Sequence, residues 1–198
     1  MAKQAMIKVS EGNTEKAIKG FLKSLLKKGI VEAILIPKGL PSGDGFVQTL
    51  IRDPQKMDGV CALSATIPVQ SARVASNLSI KNLSKRVAAV LKACEIRAIV
   101  ELAKFLQVKL DQLYLIGIDC PGTFEVPDYA KMVQEGRGGE KLTKELLKSM
   151  ESGQPPVVNG YVLRTACQIC EYPIPQADIV LQLFGFPADQ EIGVEIRE

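Results

Sequence analysis

The sequence predicts an α/β fold: a mostly parallel sheet flanked by helices, in a single domain over residues 1–198, with a helical excursion at 127–152. Three observations carry that reading. Strand-length runs rich in Val, Ile and Leu alternate with stretches whose apolar residues recur at helical spacing. Residues 86–118 read strand, helix, strand at the spacing of a βαβ unit, which requires parallel neighbours. The chain has 198 residues, 46 % hydrophobic and 24 % charged, enough apolar side chain for a buried core and too much for disorder.

Taken in order, Met6 to Val9 is a short strand. Ala17, Ile18, Phe21, Leu22, Leu25 and Leu26 then mark one face of a helix, capped by Asn13 or Thr14 and closed by Gly29. The lysines from Lys16 to Lys28 fall at helical spacing and read as its solvated face. Val31 to Ile36 is a buried strand stopped by Pro37, and Phe46 to Ile51 another, with the glycine-rich loop 39–45 between them. Val69 to Leu78 is a helix and Arg86 to Leu91 a strand. Cys94 to Gln107 is a helix with Ile96, Ile99, Val100, Ala103 and Leu106 on one side. Leu113 to Ile118 is the most apolar strand, ended sharply by Asp119-Cys120-Pro121-Gly122. From Pro127 the composition shifts: Gly136, Gly138 and Gly139 interrupt it, and Lys141 to Met150 is a polar helix, read as a surface excursion over Val126 to Pro156. Ile179 to Leu183 is a strand and Ile192 to Ile196 an edge strand.

Composition excludes several functions. A net charge of +3, from 25 basic and 22 acidic residues, is too mild to argue for nucleic acid. No run of about 18 uncharged apolar residues exists, so no membrane span is expected. The N-terminal residues lead into Lys8 and Glu11 without an apolar run, so no secretory signal is expected. Histidine is absent, which removes Ser-His-Asp and Cys-His catalysis and histidine-ligated metal. Five cysteines, an odd count without an export signal, read as reduced thiols of a cytoplasmic protein.

Those cysteines are where chemistry is expected. Cys167-Gln168-Ile169-Cys170 is a CxxC, which by itself serves a redox dithiol, half a zinc site or half a cluster site. Cys94 starts a helix after one strand and Cys120 follows the next strand. In a parallel sheet both βα loops open at the carboxyl edge, where ligands bind. The late CxxC can complete a four-thiolate set, which suits a [4Fe–4S] cluster or a four-cysteine zinc site. Cys61 sits in the apolar run Val60-Cys61-Ala62-Leu63 and reads as a core residue.

Three segments carry a family resemblance. Lys92-Ala93-Cys94-Glu95-Ile96-Arg97-Ala98, Gly117-Ile118-Asp119-Cys120-Pro121-Gly122-Thr123 and Arg164-Thr165-Ala166-Cys167-Gln168-Ile169-Cys170-Glu171-Tyr172-Pro173 resemble, in order and spacing, motifs of the coenzyme F-420 hydrogenase/dehydrogenase β-subunit family. The resemblance implies an iron–sulfur flavoprotein or a relative of one. It makes Cys94, Cys120, Cys167 and Cys170 ligands of a [4Fe–4S] cluster, with FAD as a further cofactor. The flavin candidates are Gly12, Asn13 and Thr14, where a strand hands over to a capped helix, together with Ser64 and Arg97. Arg97 also stands four residues before Glu101, at ion-pair spacing. Ser10-Glu11-Gly12 replaces the family's Gly-Gly turn, Ala93 replaces the proline before its first cysteine, and no ferredoxin-like cysteine run is present. The expected function is therefore an electron-transfer subunit of an oxidoreductase complex, whose other subunits carry further iron–sulfur or flavin centres. A zinc-stapled docking subunit without redox chemistry is the alternative.

Overall fold

The computed structural model describes residues 2–81, 86–152, 157–158 and 160–197. Seven strands form one sheet. Across it they run β1 (Lys3–Lys8), β9 (Glu191–Ile196), β8 (Ile179–Gln182), β5 (Leu113–Ile118), β4 (Val87–Lys92), β2 (Ala33–Gly39) and β3 (Phe46–Ile51). The four central strands β8, β5, β4 and β2 pair in parallel. Antiparallel strands finish the sheet on both sides, β3 against β2, and β9 then β1 against β8.

Helices cover both faces because the central strands alternate their side chains between two apolar clusters. Ile34, Ile36, Ala88 and Val90 face α1 (Thr14–Lys27) through Ile18, Leu22, Leu25 and Leu26. Ala33, Leu35, Val87, Ala89 and Leu91 face α2 (Ser71–Ser79) and α3 (Ala93–Lys104) through Ala72, Ala75, Ile96 and Ile99. Asn13 caps α1 by accepting the Lys16 N–H at 2.9 Å, and Gly29, at φ +63°, follows its end.

Two strand expectations change. β2 runs through Pro37 to Gly39. Its pairing with β4 ends at Leu35, so on that side the proline's missing N–H interrupts no ladder. Ile192 to Ile196 is not an edge, since β1 pairs along its outer side from Lys3↔Ile196 to Lys8↔Glu191. The edge strand is β1, exposed along nearly its whole length and bearing Lys3 and Lys8, the residue type that discourages further pairing.

The excursion has more structure than a surface loop. It contains α4 (Val126–Gln134) and α5 (Glu140–Ser152), and the small hairpin of β6 (Val157–Val158) and β7 (Tyr161–Val162) follows it. Phe124, Tyr129, Met132, Leu142, Leu146 and Leu163 give it a buried cluster of its own, while Leu147 and Met150 join the α1 side of the main core. Residues 153–156 of the expected excursion lie outside the described residues. Among the described residues, no helix is long and apolar enough to cross a membrane.

One close approach matters for the segment that brings in the CxxC. Gly117 lies in β5 directly under Pro175, and a Cβ there would stand 2.7 Å from the proline ring. Gly117→Ala is therefore expected to cost about 1–3 kcal/mol through overpacking. Urea denaturation of the purified chain measures it; a variant as stable as the parent would show that the 173–177 segment moves freely over β5.

Candidate metal centre

Parallel register sets the first two cysteines side by side. β4 and β5 pair with Lys92 opposite Ile118, where both strands end. Cys94 and Cys120 each follow that pair by two residues, so they leave the same sheet edge in step, from strands roughly 4.8 Å apart. Cys94 is the second residue of α3, whose first-turn amides have no helical carbonyl to bond. The turn into α3 is held by Glu95, which is buried and accepts the Lys92 N–H at 3.0 Å and the Ser71 N–H at 2.8 Å.

The loop bearing Cys120 is fastened from three sides. The Asp119 N–H donates to the Leu181 carbonyl at 3.1 Å, and its carboxylate accepts the Leu183 and Phe184 N–H groups at 2.8 and 3.0 Å. Cys120 N–H donates to the Pro173 carbonyl at 3.1 Å. Gly122, at φ +99°, lies under Leu163; a Cβ there would run into its Cδ1, so glycine is required.

The CxxC arrives on a strap running from β7 to β8. Arg164 N–H donates to the Thr123 carbonyl at 2.9 Å, after which the single turn α6 (Thr165–Gln168) carries Cys167. The Thr123 hydroxyl lies 3.4 Å from the Cys167 sulfur, across 44 residues of sequence. Arg97, from α3, donates to the Tyr172 carbonyl at 3.0 Å and lies over the Tyr172 ring, 5.9 Å from its centre. Glu101, its expected partner, is paired with Lys104 at 2.6 Å instead.

The result is one open cavity of about 1090 Å³ lined by Cys94, Cys120, Cys167 and Cys170, with Pro121 and Pro173 beside them. Cys94 and Cys170 are exposed, Cys120 and Cys167 partly buried. Among the described residues, no three His, Cys, Asp or Glu side chains gather closely enough to hold a single metal ion. Burial first, and the neighbouring Cys120 thiol second, push the Cys94 thiol up to about 11. Burial raises Cys120 too, against the pull of the Lys92 charge. Lys92 is 3 % exposed, and its Nζ has no hydrogen-bond partner among the described residues.

The expected flavin residues are not gathered. Gly12, Asn13 and Thr14 line a second cavity of about 570 Å³, with Glu15, Phe46, Cys61 and Tyr129. Arg97 lines the cysteine cavity, and the buried Ser64 lines neither. Cys61 is not packed into the core as expected. Its thiol donates to Glu15 Oε1 at 3.2 Å, at the wall of this second cavity, and burial raises it well above an ordinary thiol. The Glu15 carboxylate also accepts the Ala62 and Leu63 N–H groups, at 3.0 and 2.6 Å. Lys92 and Asp119 lie inside the cysteine segments without an expected role of their own, and Glu15 lies in none of those segments. Glu95 carried a further signal, its place three residues after Lys92 at a helix start.

Burial raises the Glu15 carboxyl above its ordinary 4.5, overriding the three donors. The folded chain therefore holds that proton more tightly than the unfolded chain. Glu15's contribution to stability is fullest below about 4.5 and falls as pH rises through the raised value. Glu15→Ala is expected to cost about 1–3 kcal/mol by leaving two buried N–H groups unpaired, while Glu15→Gln should remove this part of the pH dependence. Denaturation curves between pH 4 and 8 check both.

No family model matches the chain. It is 30 % identical, over 194 residues and 89 % of its length, to F420-dependent formate dehydrogenase 1 subunit beta of Methanococcus maripaludis. It is 27 % identical over 186 residues to F420-dependent formate dehydrogenase subunit beta of Methanocaldococcus jannaschii. The chain spans about half the length of these relatives, 49 % and 48 %. A chain of the F420-reducing [NiFe] hydrogenase complex from Methanosarcina barkeri shares the fold, with a TM-score of 0.68 and 11 % identity over 99 % of this chain and 75 % of that one.

Proposed function

Because the chain belongs to the coenzyme F-420 hydrogenase/dehydrogenase β-subunit family, we propose that it is an electron-transfer subunit holding one [4Fe–4S] cluster on Cys94, Cys120, Cys167 and Cys170. The observation that carries this reading is the meeting of four thiols, from three separate segments, around one cavity. Each iron of a cluster takes its own thiolate, so a cluster suits thiols spread round a cavity, whereas zinc needs its ligands gathered on one point. When bound, a cluster would supply storage and release of single electrons. The chain's own part is to release four thiol protons to solvent as the thiolates take up the metal and to hold the sulfurs on loops fixed by Asp119, Glu95 and Arg97. The α3 amides beside Cys94 favour negative charge at that corner.

The 198 residues act as one α/β unit in the cytoplasm. The strap beside the cysteines exposes Ile169, Tyr172 and Ile174. This supports docking of that edge against a partner subunit that carries the next iron–sulfur or flavin centre. An FAD site is part of the same reading: the second cavity offers Phe46 and Tyr129 as apolar walls and the start of α1, at Gly12 to Thr14, for phosphate. A flavin-free preparation from cells that load other flavoproteins would remove FAD from the reading.

The test is purification without oxygen. The expected product is brown, absorbs broadly near roughly 400 nm and carries about four irons per chain. Cys120→Ala should lose the iron and Cys61→Ala should keep it. A colourless product with zinc replaces the cluster reading with the structural one, and iron lost from Cys61→Ala reverses the ligand assignment.

A further inference from the structure

Lysine is rarely buried without a partner, because its ammonium loses hydration that nothing then replaces. Lys92 is such a case. It closes β4 as part of the pair Lys92↔Ile118 that sets the register of both cysteine loops. It is 3 % exposed, and its Nζ meets no acceptor among the described residues. Lys92 lines neither cavity, but among the described residues its charge acts on Cys94 and Cys120 at the first and on Glu15 and Cys61 at the second. Glu15 is the one carboxylate among them. It accepts two backbone amides and the Cys61 thiol, and among the described residues no hydrogen bond joins it to Lys92.

We propose that Lys92 is the built-in counter-cation of the cysteine cavity, placed to favour negative charge on a group held by Cys94, Cys120, Cys167 and Cys170. The inference rests on the cluster reading and adds to it a positioning residue that touches no electron donor or acceptor. When a bound cluster takes one electron from an external reductant, no bond forms or breaks, and the centre gains one negative charge. A fixed positive charge inside the protein favours the reduced state, since the low-dielectric surroundings screen it weakly. The ammonium is thus costly in the empty chain and useful in the loaded one.

Three forms of the full chain test this, each loaded with iron and sulfide without oxygen: the parent, Lys92→Met and Lys92→Arg. Dithionite titration with redox mediators, followed by electron paramagnetic resonance, reads the equilibrium constant for one-electron reduction. Lys92→Met is expected to lower it on the order of tenfold, about 59 mV for one electron. Lys92→Arg, which keeps the charge, should restore most of it. Iron should stay at about four per chain in all three. Before loading, Lys92→Met should be no less stable to heat than the parent, because it removes an unpartnered buried charge.

An iron-loaded Lys92→Met with an unchanged constant overturns the proposal and leaves the cluster reading standing. So does a Lys92→Arg constant as low as that of Lys92→Met. A metal-free Lys92→Met chain that unfolds overturns it as well, by showing that the ammonium is already compensated in the empty protein. A parent chain that takes up no iron overturns the cluster reading and this proposal together.

Discussion

The parallel pairing of β4 with β5 is the constraint on which the cysteine site depends. A slip of one residue would turn every side chain of β4 to the opposite face. Val87, Ala89 and Leu91 would then meet α1 in place of α2 and α3, and Ala88 and Val90 the reverse. All six residues of β4 are buried, so the slip would disturb both apolar clusters at once. The register of Lys92 with Ile118 is held by packing on both faces, and the alignment of Cys94 with Cys120 follows from it without any contact between the sulfurs.

The other two cysteines come from far along the chain, and the excursion is what delivers them. α4 and α5 bury Tyr129, Met132, Leu142 and Leu146 together with Phe124 and Leu163, the residues that flank the start of the strap. Phe124 N–H bonds the Ala65 carbonyl at 2.8 Å, and Arg164 N–H bonds the Thr123 carbonyl at 2.9 Å. The excursion's core therefore pins the strap to the loop after β5. Pro175 over Gly117 and Pro173 on Cys120 fasten the far end. The CxxC is held at both ends by contacts that do not involve its own sulfurs.

What was legible in the sequence was the part governed by local period. Leu113–Ile118 is bounded as expected, since an apolar run between Gln112 and Asp119 has sharp polar limits. The α1 cap at Asn13 and the four-cysteine grouping in one cavity were legible too, the latter from loop order in a parallel sheet joined to a family motif. Long-range facts were not. Pro37 stays in a strand because of where β4 stops pairing. Ile192 to Ile196 is internal because a strand from the other end of the chain covers it. Cys61 looked like core because its neighbours are apolar, while its partner Glu15 is 46 residues away. Lys92 lies one residue beyond the expected strand Arg86 to Leu91, and that its Nζ is buried with no hydrogen-bond partner among the described residues is a property of the assembled molecule.

Lys92 lines neither cavity, yet its charge acts on groups in both. On one side stands a hydrogen-bonded carboxyl–thiol pair, with burial raising both groups, and on the other a ring of thiols open to solvent through Cys94 and Cys170. A charge change in either cavity is felt by the same ammonium, which has no hydrogen bond among the described residues to shield it. Neutralising Glu15 leaves the Lys92 charge less opposed and strengthens its pull on negative charge at the cysteines; ionising Glu15 weakens that pull. The cavity at the start of α1 and the cysteine cavity thus share one charged neighbour, Lys92.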